Sequence, residues 1–243
     1  MNVVSAKNLN FQELNERIRR AAGDLSVEDC YGQRYIGNGL SGRTLTVHGT
    51  PGNCLGAFLN GATIIVHGNA QDAIANTMND GKIIIHGNAG DTLGYGMRGG
   101  TVYVKGNAGY RTGIHMKQYL DKKPVVVVGG RTGCFLGEYQ AGGLIIVLGL
   151  GECEENNQLP IDDFTGTGIH GGSILIRTRI QPKNLPIQVA AAKATKVEIK
   201  EITPYLQEFA GYFDLDVQSL VDSEYYCLTP NASNPYHQLY TPN

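Results

Sequence analysis

A strand-sized apolar run closed by glycine returns along this chain at a fixed interval. TLTVHG (44–49), TIIVHG (63–68), KIIIHG (82–87) and TVYVKG (101–106) end on Gly49, Gly68, Gly87 and Gly106, each 19 residues after the last. A five-residue insertion near Tyr119–Lys123 displaces the next two runs, VVVVGG and LIIVLG, to Gly130 and Gly149, which are again 19 apart. SILIR (173–177) is a further run of the same kind. A repeat this short cannot bury an apolar face alone, so it must stack on its neighbours, and the architecture that results is a solenoid. One short strand per repeat with glycine turns predicts an all-β fold, a single-stranded parallel β-helix of about seven coils. Rows roughly 4.8 Å apart make a rod on the order of 30 Å long, and the crossover preference of parallel strands makes it right-handed.

The turns carry a second pattern, G-x-x-G-x-x-x-G, at Gly49/Gly52/Gly56, Gly87/Gly90/Gly94, Gly106/Gly109/Gly113 and Gly130/Gly133/Gly137. The coil after Gly68 departs from it, with Gln71 and Ala75 at those places. GYGMRG (94–99) matches G-x-G-x-x-G, the fingerprint of a dinucleotide-binding turn. Such a turn must open a helix whose N-terminus holds the pyrophosphate. Here Gly99 and Gly100 lead into the run Thr101–Val104, so the match straddles two repeats and binds no nucleotide.

Strand side chains alternate between faces. Leu45/Val47, Ile64/Val66, Ile83/Ile85, Val102/Val104, Val126/Val128, Ile145/Val147 and Ile174/Ile176 supply an inward pair at each level, and Leu59, Met78, Met97 and Met116 a second apolar column. Asn69, Asn88 and Asn107 align after the strands as a hydrogen-bonding ladder. Asp72 and Asp91 stack likewise, followed by Tyr110. Between the inward pairs lie Thr46, Ile65, Ile84, Tyr103, Val127, Ile146 and Leu175, where a solvated face would be polar. That stripe must be covered, by the chain's own tail or by another subunit, and it points to an interaction surface.

Solenoid ends need caps. Residues 1–30 read as an N-terminal helical cap, with Phe11, Leu14 and Ile18 on one face and Asn10 with Glu13 as a capping box. Residues 31–180 form the β-helix, interrupted by an acidic insertion at 151–168, read as a solvated loop. Residues 181–243 form a tail: 201–223 suggests two short helices broken at Gly211, and TPNASNPYHQLYTPN is irregular, with the prospect of docking on the rod or on a neighbour.

Composition narrows the function. The 20 basic and 22 acidic residues give a net charge of −2, which disfavours a nucleic-acid or anionic-membrane surface. The five cysteines (Cys30, Cys54, Cys134, Cys153, Cys227) form no C-x-x-C pair and read as idle thiols of a reducing compartment. No apolar signal segment opens the chain and no run is long enough to span a membrane, so the expected location is cytoplasmic.

Three features invite chemistry. His48, His67 and His86 stack one coil apart, which suggests zinc, but the column continues as Lys105, Gly129, Leu148 and Arg177 and is better read as a polar rim. Gly-Ile-His occurs at 113–115 and 168–170, with Arg111 near the first. Neither copy has a carboxylate or nucleophile at matching spacing. No residue is therefore assigned as catalytic, cofactor-binding or metal-ligating. The enzymatic alternative places a loop-borne site near Cys153, His115 and His170, at a subunit interface.

The glycine coils, with NCLGAFLNGA (53–62), GNAQDAIANTMNDG (68–81), GYGMRGGTVYVKGNAGYRTGIHMK (94–117) and FLGEYQAGGLIIVLGLG (135–151), resemble the C-terminal β-helix domain of the glutamate synthase large subunit (the GXGXG domain), especially its stand-alone version. A more distant likeness is to the third subunit of formylmethanofuran dehydrogenase. The resemblance implies a scaffold that holds a glutamine amidotransferase and an FMN/iron–sulfur synthase while ammonia passes between them. It places FMN and the iron–sulfur cluster in partner subunits. No N-terminal nucleophilic cysteine and no cysteine cluster of that family is matched here, so it carries over no site residue. The expected partners are the amidotransferase and synthase chains, with self-association left open. A structural subunit of a formylmethanofuran dehydrogenase-like complex is the alternative assembly.

Overall fold

The computed structural model describes residues 2–231. Nine parallel strands follow one another in chain order: β1 (Asn2–Ser5), β2 (Leu25–Tyr31), β3 (Thr44–Thr50), β4 (Asn60–His67), β5 (Asp80–Ile85), β6 (Thr101–Val104), β7 (Val125–Val128), β8 (Ala141–Val147) and β9 (Gly171–Arg177). Each repeat contributes one rung of a β-solenoid. Leu45 is in register with Ile64, and then Ile83, Val102, Val126, Ile145 and Ile174 follow one another up the stack. That is the inward column the periodicity predicts, and its members are essentially inaccessible to solvent. Each such aliphatic side chain contributes roughly 1.5–3 kcal/mol by leaving water.

Two rungs precede the first glycine-closed run. The helix α1 (Phe11–Arg20) is present, with the Asn10–Glu13 capping box formed and Leu14 and Ile18 buried. The segment 1–30 is nevertheless more than a helical cap, because β1 and β2 join the ladder on either side of α1. The repeat is invisible there for a structural reason. A register shift between Val27 and Cys30 in β2, with Asp29 left-handed, bulges the strand and breaks the spacing.

The asparagine ladder forms, but through side chain and backbone rather than between side-chain amides. Asn69 Oδ1 accepts from the Asn88 N–H, Asn88 Oδ1 from the Asn107 N–H, and Asn107 Oδ1 from the Arg131 N–H, at 2.8–2.9 Å. Asp72 and Asp91 do the same for the backbone of Asp91 and Tyr110.

The apolar outward stripe is covered by the chain itself. The helix α3 (Lys196–Phe213) lays Ile202, Leu206, Phe209, Ala210 and Phe213 over Ile84, Tyr103, Val127, Ile146 and Leu175 in a second core. Of the two covers expected, the chain's own tail is the one found, so the stripe is not the interaction surface that the sequence points to. The break expected at Gly211 is also absent. The helix runs through that glycine and ends at Asp214 in the left-handed conformation, and the short α4 (Val217–Val221) follows. Packing of four large apolar side chains outweighs the cost of about 1 kcal/mol for a helical glycine.

The acidic insertion is shorter than 151–168. A single turn, α2 (Glu152–Glu155), opens it, but Thr132 N–H already donates to Pro160 O, and Phe164–Gly168 repeats the turn geometry of the coil below. Beyond β9 the sheet reverses: β11 (Tyr225–Pro230) pairs antiparallel with β9, and β10 (Val189–Lys193) with β11. The expected irregular stretch 229–243 thus begins within a strand, and 232–243 lies outside the described residues.

Candidate interaction surface

The glycine turns form a wall with its own backbone rule. In each coil three alternate residues have positive φ: Thr92, Gly94 and Gly96; Arg111, Gly113 and His115; Phe135, Gly137 and Tyr139; Phe164, Gly166 and Gly168. GYGMRG therefore supplies two of these turn positions, and Thr101 begins β6. Alternation sends successive N–H groups to opposite neighbours. Arg111 and His115 donate to Cys134 O and Glu138 O in the coil above, and Gly113 donates to Leu93 O in the coil below. The middle residue faces inward and must be small: a Cβ on Gly113 would lie 2.4 Å from Ile145 Cδ1.

The outer two positions face outward, and at Arg111, His115, Phe135, Tyr139 and Phe164 the chain places large side chains where glycine would sit without strain. Each such residue costs on the order of 1–2 kcal/mol. His115 stacks on Tyr139 (5.1 Å between centroids) and Phe135 on Phe164 (4.7 Å), while Tyr95 and Tyr110 meet His115 and Phe135 edge-on. Arg111 lies over the Tyr110 and Phe135 rings at 4.8 and 5.4 Å, and its Nε is 2.9 Å from Glu138 Oε2, a carboxylate 8% exposed. Glu138 was missed in the sequence because it lies in the next coil; aligning the turns puts it opposite Ile114. Since the stacked rings cover each other between coils, the wall offers ring edges, hydroxyls and a guanidinium. Those groups suit a protein surface better than a base or sugar that must stack on a ring face.

The three-histidine column is a stack. His48, His67 and His86 lie 4.8 Å apart ring to ring and nearly parallel; His48 Nε2 is 3.7 Å from Glu28, and Phe213 of α3 closes the other end edge-on to His86. Parallel rings do not converge on a point, and among the described residues no group of three or more His, Cys, Asp or Glu is placed to hold a metal ion.

Cys153, His115 and His170 are not brought together. Cys153 lines a polar cavity of about 300 Å³ at the C-terminal end of β9, with Glu154, Arg177, Ser223 and Glu224. The Arg177 guanidinium is consumed there by Ser223 Oγ, Leu148 O and Glu154 Oε1. Burial pushes the Cys153 thiol up, away from the thiolate. His170 immediately precedes the other end of β9, roughly 20 Å along the strand. The loop-borne site therefore does not assemble within one chain.

The turn wall, repeated coil upon coil, is what the comparison with known families recognises. The model of the GXGXG motif family matches residues 5–230. This chain belongs to that family, the one that contains the C-terminal domain of the glutamate synthase large subunit. The GXGXG match takes in α1, every rung from β2 to β9, and the covering helix α3. A relative of similar extent is the uncharacterized protein MJ1350 of Methanocaldococcus jannaschii, 43% identical over 252 residues that cover 99% of this chain and 97% of the relative. No helix among the described residues is long and apolar enough to cross a membrane.

Proposed function

We propose that this GXGXG protein is a scaffold subunit of a glutamate synthase-like oxidoreductase complex in the cytoplasm. It holds a glutamine amidotransferase chain and an FMN-binding synthase chain in place for ammonia transfer. FMN and the iron–sulfur cluster belong to those partners. The observation that carries the reading is the family match from residue 5 to residue 230, across nearly the whole of the described fold. The geometry is consistent with it. The interior is filled by aliphatic side chains, the strand face is closed by α3, and the chemically varied groups lie on outer walls. A rod so braced can fix two other chains at a constant separation.

Affinity capture of the native protein from its own cells, read by mass spectrometry, tests this. Recovery of an amidotransferase chain and an FMN-containing chain in stoichiometric amounts is the expected result. A chain that elutes alone would sink the proposal. Recovery with molybdenum- or tungsten-containing subunits instead would replace it with the formylmethanofuran dehydrogenase-like assembly.

A further inference from the structure

Over the coils from Ala73 to Gly168 the aromatic turn wall has borders of opposite charge; the first turn lies outside this pattern, with exposed Arg34 before left-handed Tyr35. One position before the first left-handed residue of their turns stand Asp72, Asp91 and Asp163, all exposed. Two positions after the last left-handed residue stand Arg98 and Lys117, also exposed. Neither cation forms an ion pair among the described residues. Between the borders run the ring edges of Phe135, Tyr139 and Phe164, with Tyr139 40% and Phe164 54% exposed. Tyrosine, phenylalanine and arginine at the centre with charges at the rim is the composition of a protein–protein contact.

We infer that this wall binds a second copy of the same chain, with the two-fold axis parallel to the solenoid axis. The borders select that arrangement. A face-to-face dimer has its two-fold axis lying in the contact plane. An axis along the solenoid exchanges the two borders and leaves every coil opposite its own counterpart. Asp91 of one copy then faces Arg98 of the other, and the contact occurs twice because both residues belong to one coil. An axis running across the coils sets aspartates against aspartates and cations against cations, which like-charge repulsion disfavours. The rings, stacked on one another between coils, meet their counterparts edge to edge across the axis. The strain accepted at Arg111, His115, Phe135, Tyr139 and Phe164 is offset by this contact.

The test is sedimentation of the purified full-length chain over a range of concentrations, with circular dichroism to confirm that each variant is folded. The wild type sediments at twice the 26.2 kDa chain mass. Arg98→Glu sets two carboxylates against each other and weakens the dimer by at least about tenfold. Adding Asp91→Asn, which keeps the backbone-accepting oxygen and removes the charge, restores part of that loss. Tyr139→Ala weakens the dimer without regard to salt. A wild type that is monomeric throughout overturns the inference, as does a dimer indifferent to both Arg98→Glu and Tyr139→Ala. A photo-crosslinker at position 139 that captures a different protein in cells, and never a second copy, also overturns it. None of these outcomes decides whether the amidotransferase and synthase chains are partners, which the native capture reads separately.

Discussion

His86 occupies the inner end of the imidazole stack, between His67 and the ring edge of Phe213. Burial, then the neighbouring His67 and Lys105, holds its pKa below the usual imidazole value. A histidine whose folded pKa is depressed binds its proton more readily when unfolded. Its neutral form therefore adds stability above the unfolded-state pKa of about 6.5, and that contribution is lost as pH falls below it. Thermal unfolding followed from pH 7.5 to pH 5 (about the span over which imidazole titrates) should show the melting temperature of the wild type falling with acid more steeply than that of His86→Leu. Parallel slopes would show that the stack does not sense protons. The Asn69–Asn88–Asn107 ladder, by contrast, ties coils through neutral amide oxygens.

Among the elements, α3 contributes most that the repeat does not. Phe209 is fully buried, lies 6.5 Å from the Tyr103 ring and 4.7 Å from Phe213, and occupies the space left by Gly129, where a Cβ would come within 2.9 Å of its Cζ. The helix is also pinned by Glu208, whose Oε2 accepts from Lys82 Nζ at 2.5 Å and from the Tyr103 hydroxyl at 3.1 Å. Burial raises the Tyr103 phenol, so it stays a donor at any physiological pH. Phe209→Ala should cost about 3–5 kcal/mol, because the rigid strand face cannot close on the cavity. Chemical denaturation is the measurement. A loss under about 1 kcal/mol would mean that α3 rests loosely on the sheet and that the stripe beneath is available after all.

At the scale of the whole molecule, the rungs are unequally supported. Central strands such as β7 and β8 have the filled lumen on one side and α3 on the other, whereas β1 is an edge strand with Val3 64% exposed. In a solenoid, stability is close to a sum of nearest-neighbour terms, so rungs lacking a neighbour or a cover open first. Hydrogen exchange should be slowest over 125–128 and 144–147 and fastest over 2–5, read by mass spectrometry of peptides. Equal protection at both places would indicate that the rod opens only as one unit.

The register of seven rungs, the inward pairs and the position of GYGMRG across two repeats, leading into a strand, were legible in the amino-acid order. A stacked repeat converts spacing along the chain directly into neighbourhood in space, so a constant period of 19 is already a contact map. The bulged β2 escaped because one unpaired residue breaks the period while leaving the ladder intact. The cover over the outward stripe, the Lys82–Glu208 contact 126 residues apart, and the Arg111–Glu138 pair were decided only in three dimensions. The helix that closes the sheet is not part of the repeat. Its docking depends on the fit of Phe209 and its neighbours to a particular relief of side chains, and no local periodicity encodes shape complementarity between distant segments.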